Sequence, residues 1–325
     1  MGILRYVLAS LVLASHLGHN ILGFNPGVMA VVVFYLLAGN VVARLWRRCR
    51  GYPGAIVRFY SDRLWRILPL YITVMCASAA VWISGAQSPF LIGDPGLRDW
   101  LFNLALIPLA YYMYNGADAF TLVPPAWSLA VEVQYYFLAP ILLFISWRWF
   151  LVIMLMSLCL YGLAQVGWLN TDHFGYRLLP GVLFIFMLGA MLGDESRAGW
   201  VKGLWWCIVA YLFALGLWLP VVPYRLEVAL GLAVGIPVLA WVGRQRGSER
   251  GSQLWDYLDS RLANLSYGVF LWHFPVIWAL GVAPPDLGWS TLVLVLAVST
   301  MLAALAYFLV ERPLWRRYRR NFGSL

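Results

Sequence analysis

The 325-residue sequence is 62% hydrophobic and only 11% charged, with a mean hydropathy of +0.77, which excludes a soluble globular domain of ordinary composition. Its formal net charge of +9 at pH 7 would suit nucleic acid, but the cations gather at the ends of apolar segments, where lipid headgroups or a phosphate-bearing ligand are the expected partners. We therefore predict an all-α polytopic membrane protein without a nucleic-acid partner.

Apolar stretches recur along the whole chain. A helix needs about 17 to 25 apolar residues to cross the hydrocarbon, and we predict about ten transmembrane helices within a single domain over residues 1–325. They cover residues 3–24, 28–46, 67–85, 125–147, 149–168, 179–193, 203–220, 227–243, 262–283 and 288–309. The first continues through a loop into the second, so we expect an uncleaved helix and not a signal peptide. A shorter apolar segment, 100–114, is predicted to be re-entrant or interfacial.

Basic residues are distributed unevenly between the two sides of these spans. With the N-terminus inside, all but three of the 23 Lys and Arg residues fall at cytoplasmic ends, the exceptions being Arg98, Arg177 and Arg225. The positive-inside rule then places both termini in the cytoplasm. The four cysteines have no paired spacing, so neither a disulfide framework nor a zinc site is predicted.

The first span carries ionisable residues that hydrocarbon disfavours. Arg5 lies near its start, His16 follows eleven positions on, and His19 comes one turn later. Such groups cost on the order of 3 kcal/mol or more inside a membrane, so they persist mainly where a cavity uses them. Helical rise separates Arg5 from His16 by about 16 Å. No carboxylate or thiol lies nearby to complete a metal site with the two histidines, so we predict no metal and an interfacial or ligand-facing role for His19.

A basic block precedes the third span, in RFYSDRLWRILPLY. Arg63 and Arg66 are three residues apart, so their guanidinium groups share one helix face and can converge on one anion. Arginine suits phosphate because its planar fork forms two parallel hydrogen bonds. An ordinary positive-inside loop remains the alternative for these two residues and for Arg58.

A carboxylate and a second deep histidine accompany His16. Glu132 lies seven positions after Pro125, in PPAWSLAVEVQYYFLAP. Helical rise puts Glu132 roughly 10 Å and His16 about 12 Å below the outer ends of their spans. A carboxylate at that level can raise the basicity of an imidazole and fix its tautomer, so we predict a general base for a hydroxyl nucleophile, with a structural hydrogen bond as the alternative. His273, two residues before Pro275, is predicted to line the same cavity or to be a buried core histidine.

Together these residues resemble the membrane acyltransferase-3 family, bacterial enzymes that move acyl groups, usually acetyl, from acyl-CoA onto carbohydrates outside the cytoplasmic membrane. The matching blocks occur in the family's order: Arg5-x10-His16, AVVVFYLLAGNVVA from Ala30, Arg63-x-x-Arg66-x-x-Pro69, Trp127-Ser128-Leu129 with Glu132, LSYGVFLWHFP and the closing VERP. The resemblance covers essentially the whole chain. Val32 and Ala38 depart from it, since the family usually has Asp and Ser at those positions.

The resemblance implies a multi-pass acyltransferase of the bacterial cytoplasmic (inner) membrane, with acyl-CoA, acetyl-CoA in the simplest case, as donor and a carbohydrate as acceptor. His16 would be the base and Glu132 would orient it in direct attack by a sugar hydroxyl. The alternative is an acyl-histidine intermediate, in which His16 itself is acylated. The residues expected to bind the donor are Arg5, Arg58, Arg63 and Arg66. Those expected to bind the acceptor are His19, Trp127, Ser128, Tyr267 and His273.

Two other classes of protein stay open. A polysaccharide or anion transporter, or a flippase, would use the same His, Glu and Arg side chains to relay protons or bind an anion, although we see no inverted repeat. A scaffold in a polysaccharide-export complex would tolerate replacement of His16. Without the esterase-like domain that some family members carry, we expect the chain to acylate the final acceptor itself or to pass the acyl group to another polysaccharide-biosynthesis protein.

Overall fold

The computed structural model describes residues 1–194, 198–218, 223–245, 253–282 and 288–322. Within these ranges the regular secondary structure is helical, and the β-structure consists of two isolated bridges, between Ile21 and Phe24 and between Leu91 and Phe120. The α-helices are α1 (Gly2–His16), α2 (Pro26–Cys49), α3 (Ala55–Ile83), α4 (Leu97–Ala105), α5 (Tyr112–Asn115), α6 (Ala126–Phe144), α7 (Trp147–Gln165), α8 (Leu179–Leu192), α9 (Ala198–Trp218), α10 (Arg225–Gln245), α11 (Gln253–Ala279), α12 (Trp289–Ala306) and α13 (Arg312–Phe322). Short 3-10 turns cover Ile107–Tyr111 and Ala117–Ala119, and π-helical turns cover His173–Arg177 and Tyr307–Glu311.

Seven helical segments of the described chain are long and apolar enough to cross a membrane. They are Pro26–Cys49, Ala55–Ile83, Ala126–Phe144, Trp147–Gln165, His173–Leu192, Arg225–Gly243 and Trp289–Tyr318. The predicted all-α, multi-pass architecture is therefore confirmed. The count of about ten spans and the cytoplasmic placement of both termini stay predictions. Residues 219, 220 and 283, at the ends of two predicted spans, lie outside the described residues.

The first helix is shorter than the sequence predicts. α1 ends at His16 and not at Phe24, because the chain turns at Gly18, whose φ is 86°, and again at Leu22 and Gly23. Positive φ angles interrupt a right-handed helix and favour glycine. His16 is thus the last residue of its helix, and the prediction that it lies about 12 Å below a helix end at residue 24 is wrong.

The segment 100–114 contains no helix that can cross the membrane. α4 has nine residues, about 13 Å of helical rise, against the ~30 Å of hydrocarbon to be spanned. Leu106, with a φ of 64°, ends α4 and starts a 3-10 turn. These lengths agree with the predicted re-entrant or interfacial segment.

The described chain forms two compact units. The first comprises Met1–His19, Gly54–Val133 and Leu254–Leu325, and the second Asn20–Pro53 and Gln134–Gln253. Every site residue predicted from the sequence belongs to the first unit. A single domain over residues 1–325 stays a prediction.

In the first unit, α1 runs parallel to α11. Gly2 lets the two helices touch, since a Cβ there would lie 1.7 Å from the carbonyl oxygen of Asp259. The Asp259 carboxylate caps α1 by accepting the Ile3 N–H at 3.0 Å. Burial alone would raise the pKa of the Asp259 carboxyl, but hydrogen bonds from the N-terminal amine and from the Ile3 N–H outweigh this effect, so its pKa lies below the usual value. His16 meets His273 at the far end of α1, and equal residue spacing between the two contacts keeps the helices in register over about 21 Å.

α12 runs antiparallel to α1. The hydroxyl oxygens of Tyr6 and Thr300 lie 2.7 Å apart, and beyond the end of α1 the ring of His19 stacks on Trp289. Residue numbers therefore rise from Tyr6 to His19 while those of the contacting α12 residues fall from Thr300 to Trp289, which is the pattern of antiparallel segments. The topology predicted from the sequence has the same relative directions, because the first and ninth predicted spans cross the membrane in one direction and the tenth crosses it in the other.

In the second unit, α2 and α8 pack backbone to backbone through glycines. A Cβ at Gly39 would lie 1.9 Å from the carbonyl oxygen of Phe186, and one at Gly189 would lie 2.0 Å from that of Leu36. Small residues permit this approach, which membrane helices use because lipid offers little hydrophobic driving force between them.

The two positions that depart from the family pattern also lie in α2. Val32 and Ala38 are buried, and a Cβ at Gly231 of α10 would lie 3.0 Å from the Cβ of Val32. Val32 therefore packs at the contact between α2 and α10, and it is apolar at a position where the family that the sequence resembles usually has a polar residue.

Candidate active site

His16 and His273 form a hydrogen-bonded pair at the C-terminal end of α1. Nδ1 of His16 lies 3.0 Å from Nε2 of His273, and the two ring planes are nearly parallel, at 13°, with centroids 5.1 Å apart. His273 is fully buried in α11, whereas His16 is half-buried. His273 is therefore the inner imidazole of the pair, and His16 is the one that a ligand can approach.

Hydrogen bonds around His273 assign the tautomers of both rings. Nδ1 of His273 lies 3.3 Å from the carbonyl oxygen of Val269, and a carbonyl can only accept, so Nδ1 carries the proton. Nε2 of a neutral His273 is then an acceptor, and the hydrogen between the rings belongs to Nδ1 of His16. The lone pair of His16 therefore resides on Nε2, which can take a proton from a hydroxyl.

Aromatic side chains enclose the pair. Phe274 packs against His16 and His273 with ring centroids 4.9 and 5.0 Å away, and Phe90 meets Phe274 edge-on at 5.5 Å. Such an apolar wall lowers the local dielectric and strengthens the hydrogen bond between the rings.

His19 is held by a different contact. Its ring stacks on the exposed Trp289 with centroids 4.8 Å apart, and its Nε2 is buried with no hydrogen-bond partner among the described residues. Its predicted acceptor-facing role stays a prediction.

The loop that leads into α6 is held in place by Asn103, which was not predicted from the sequence. Asn103 is fully buried in α4. Its Nδ2 donates to the carbonyls of Asp99 and Phe120, both at 2.9 Å, and its Oδ1 accepts the Leu122 N–H at 2.8 Å. The hydroxyl of Tyr71 donates to the carbonyl of Asn103 itself. This network positions the chain immediately before the WSL block.

The WSL block opens α6. Ser128 is buried and its hydroxyl donates to the carbonyl of Pro125 at 3.0 Å, so it closes the first turn of the helix. Trp127 and Glu132 are half-buried. The acceptor-binding roles of Trp127 and Ser128, and the pairing of Glu132 with His16, stay predictions.

The basic block lies on α3, in the two turns before Pro69. Arg63 binds the neighbouring carboxylate of Asp62, with its Nε 3.0 Å from Oδ2. Nη1 of Arg66 lies 3.7 Å from Oε2 of Glu311, in the π-helical turn after α12. Arg5 and Arg58, the other predicted donor-binding residues, are half-buried.

Tyr267 links α11 to the basic block. Its hydroxyl donates to the carbonyl of Ile67 at 3.1 Å, and Ile67 directly follows Arg66. His273 comes six residues after Tyr267 on α11, about 9 Å of helical rise. The basic block therefore lies a short axial distance from the histidine pair, toward the N-terminal ends of α1 and α11.

The described ranges contain no cluster of metal ligands and no disulfide bond. No three His, Cys, Asp or Glu side chains there come together as metal ligands, and all four cysteines are free thiols. The side chains that do pair are the two imidazoles of His16 and His273 and, separately, the guanidiniums of Arg63 and Arg66 with carboxylates; imidazoles serve proton transfer and guanidiniums serve anion binding.

Sequence reasoning missed Asp62 and Glu311, the carboxylates behind the two arginines. Both are buried. The energetic cost that singled out His16, an ionisable side chain in an apolar segment, applies equally to Glu311 at the end of the last span. That signal was present in the sequence.

Comparison with known proteins finds relatives of the whole chain. The model of a family described as an acyltransferase domain matches residues 1–309. An uncharacterized protein of Aquifex aeolicus is 37% identical over 49% of this chain and 72% of its own length. The peptidoglycan O-acetyltransferase OatA of Listeria monocytogenes is 22% identical over 96% of this chain, which spans only 54% of OatA. The exopolysaccharide production protein ExoZ of Rhizobium meliloti is 25% identical over 94% of both chains. No solved structure matches.

Proposed function

The chain belongs to the acyltransferase-3 family of membrane acyltransferases, and we propose that it moves an acyl group, acetyl in the simplest case, from acyl-CoA to a carbohydrate hydroxyl. The donor would bind on the cytoplasmic side of the bacterial inner membrane. The acceptor would be an extracytoplasmic or lipid-linked carbohydrate, such as a surface or exported polysaccharide. The names of OatA and ExoZ, an O-acetyltransferase and an exopolysaccharide production protein, support this substrate class.

The His16–His273 pair is the observation that carries the proposal. Nε2 of His16 would accept the proton of a sugar hydroxyl while the sugar oxygen forms a bond to the thioester carbonyl carbon. The carbon–sulfur bond then breaks, and the imidazolium returns the proton to the CoA sulfur, which regenerates the base. His273 holds the required tautomer through Nδ1 of His16, as the third group does in a catalytic triad.

Two further features would favour the imidazolium form of His16 that arises during transfer. As the last residue of α1, His16 lies near the carbonyl end of the helix dipole, which favours a positive charge. Glu132 would supply a carboxylate from α6 whose negative charge stabilises the imidazolium. These contributions are largest when the bound substrates exclude water.

The basic block on α3 supplies the donor site in this proposal. Arg63 and Arg66, with Arg58, would bind the CoA phosphates, because guanidinium forks recognise phosphate in two-point hydrogen bonds. The axial offset of about 9 Å along α11 between Tyr267, which contacts Ile67, and His273 lies within the reach of a pantetheine arm, which would carry the thioester to His16. Arg5, at the start of α1, would balance charge along the same path.

Transfer in native membranes tests the proposal. Wild-type membranes given [14C]acetyl-CoA should place base-labile label on glycan and release CoA in equal amount, with CoA release dependent on the acceptor. His16→Ala should lose transfer by about 10²–10⁴-fold, the usual contribution of a general base, whereas His19→Ala should be milder. Label on the protein itself in the absence of acceptor would indicate an acyl-histidine intermediate. A transporter or flippase would release no CoA, which would refute the proposal.

A further inference from the structure

Glu311 is a buried carboxylate whose only described partner is Arg66. The residue is 3% exposed, and neither of its carboxylate oxygens has a hydrogen-bond partner among the described residues. Oε2 lies 3.7 Å from Nη1 of Arg66, which is an ion pair without a hydrogen bond. A buried charge of this kind is costly unless an opposite charge compensates it, so Glu311 requires Arg66 to be there.

The backbone turns Glu311 toward α3. Pro313 has no N–H and its ring crowds the carbonyl one turn earlier, and the chain before it takes a π-helical turn over Tyr307–Glu311. One extra residue in a turn rotates the side chains that follow it. In this turn Glu311 points to the basic block, while Phe308 and Leu309 are exposed.

Arg63 and Arg66 share the same arrangement. Each guanidinium contacts a buried carboxylate, Asp62 for Arg63 and Glu311 for Arg66, and each arginine is itself only partly buried. With Nη1 of Arg66 facing Glu311, the opposite edge of its planar fork can present two N–H groups to an incoming anion.

We propose that Glu311 is a positioning residue for the donor site: it holds the guanidinium of Arg66 in the orientation that binds a CoA phosphate. The inference rests on the proposed function, because it assigns Arg66 to the donor. A long arginine side chain loses conformational freedom when it binds a ligand, and a preformed ion pair removes part of that cost beforehand. Glu311 touches neither substrate and acts through Arg66.

The test is the affinity of the purified full chain for CoA, measured by isothermal titration calorimetry. Glu311→Gln keeps the shape and removes the charge, and it should raise the Kd for CoA by about 2- to 12-fold, the equivalent of immobilising one long side chain on binding. Glu311→Asp, which keeps the charge, should recover part of the affinity. Glu227→Gln, in the second unit, is the matched control and should bind CoA like the wild type.

A double-variant comparison separates positioning from a general structural role. Arg66→Lys keeps the charge that compensates Glu311 but loses the fork, and it should weaken CoA binding by itself. Adding Glu311→Gln to Arg66→Lys should then change the Kd little. Equal losses from Glu311→Gln in both backgrounds would overturn the inference, and so would wild-type affinity of Glu311→Gln. If Arg66→Lys alone leaves the Kd unchanged, the donor site of the proposed function fails, and the role of Glu311 fails with it.

Discussion

Replacement of His273 tests whether the second histidine sets the tautomer of His16. In His273→Phe the acceptor for the Nδ1 hydrogen of His16 is gone, and the bulky ring keeps the buried site filled. His273→Gln removes the imidazole but keeps an amide oxygen able to accept that hydrogen. The two variants therefore differ mainly in the one hydrogen bond under test.

The expected size of the effect follows from the geometry. The 3.0 Å bond to His273 satisfies an N–H in an apolar pocket, and leaving a buried donor unsatisfied costs about 1–3 kcal/mol. Since each 1.36 kcal/mol is a factor of ten in rate, the productive tautomer becomes rarer and kcat should fall by about 5- to 150-fold in His273→Phe. His273→Gln should lie closer to the wild type. KM for acetyl-CoA should change little in either variant, because the phosphates bind elsewhere.

The assay is transfer of label from [14C]acetyl-CoA to glycan in native membranes, normalised to the amount of inserted protein. His173→Phe, the same substitution in the second unit, controls for the loss of a histidine as such and should transfer label at the wild-type rate. If His273→Phe kept more than half of the wild-type kcat, the tautomer argument would be refuted. Equal losses in His273→Phe and His273→Gln would point to packing instead.

Three other predictions concern the carboxylate, the topology and the glycine contact. Glu132→Gln should bind CoA normally in calorimetry but turn over slowly, because an amide cannot stabilise an imidazolium; weakened CoA binding would contradict this role. In a cysteine-free background, an impermeant thiol reagent should label Asp94→Cys from outside and Gly51→Cys only after the membrane is opened, and the reverse pattern would invert the topology. Gly39→Ala should lower the Tm, at a cost of about 1–3 kcal/mol for overpacking, whereas Gly203→Ala, with open space around its Cβ position, should not; equal Tm values would refute the close contact.

Local features of the sequence predict the basic block well. The spacing of Arg63 and Arg66 places them on one helix face, and α3 is helical over the whole block. Apolar segment lengths likewise predict most of the long helices to within a few residues. Both inferences rest on periodicity within one element, which the sequence expresses directly.

The contacts that form the site join different helices, so periodicity within one element does not predict them. His16 and His273 are 257 positions apart, and their meeting depends on the register between α1 and α11, which Gly2 and Asp259 set at the opposite end. No spacing within either segment encodes that register. The end of α1 at His16 was also missed, because the residues that follow it continue the apolar pattern and only the glycines mark the turn.

Glu311 illustrates a third case. The acidic residue was visible at the end of an apolar span, but its direction was not, because a π-helical turn shifts every later side chain around the helix axis. A regular helical count from the apolar residues before it would place the carboxylate on a different face. Only the three-dimensional structure pairs it with Arg66.

Mass spectrometry of surface polysaccharide tests the central claim, that His16 drives acyl transfer to a carbohydrate, most directly. A deletion strain should lack ester-linked acyl groups on the native glycan, and the wild-type chain should restore them. His16→Ala, present in the membrane at the wild-type level, should restore none that can be detected. Restoration above about a tenth of the wild-type level by His16→Ala is incompatible with a general base worth 10²–10⁴-fold and would contradict the account.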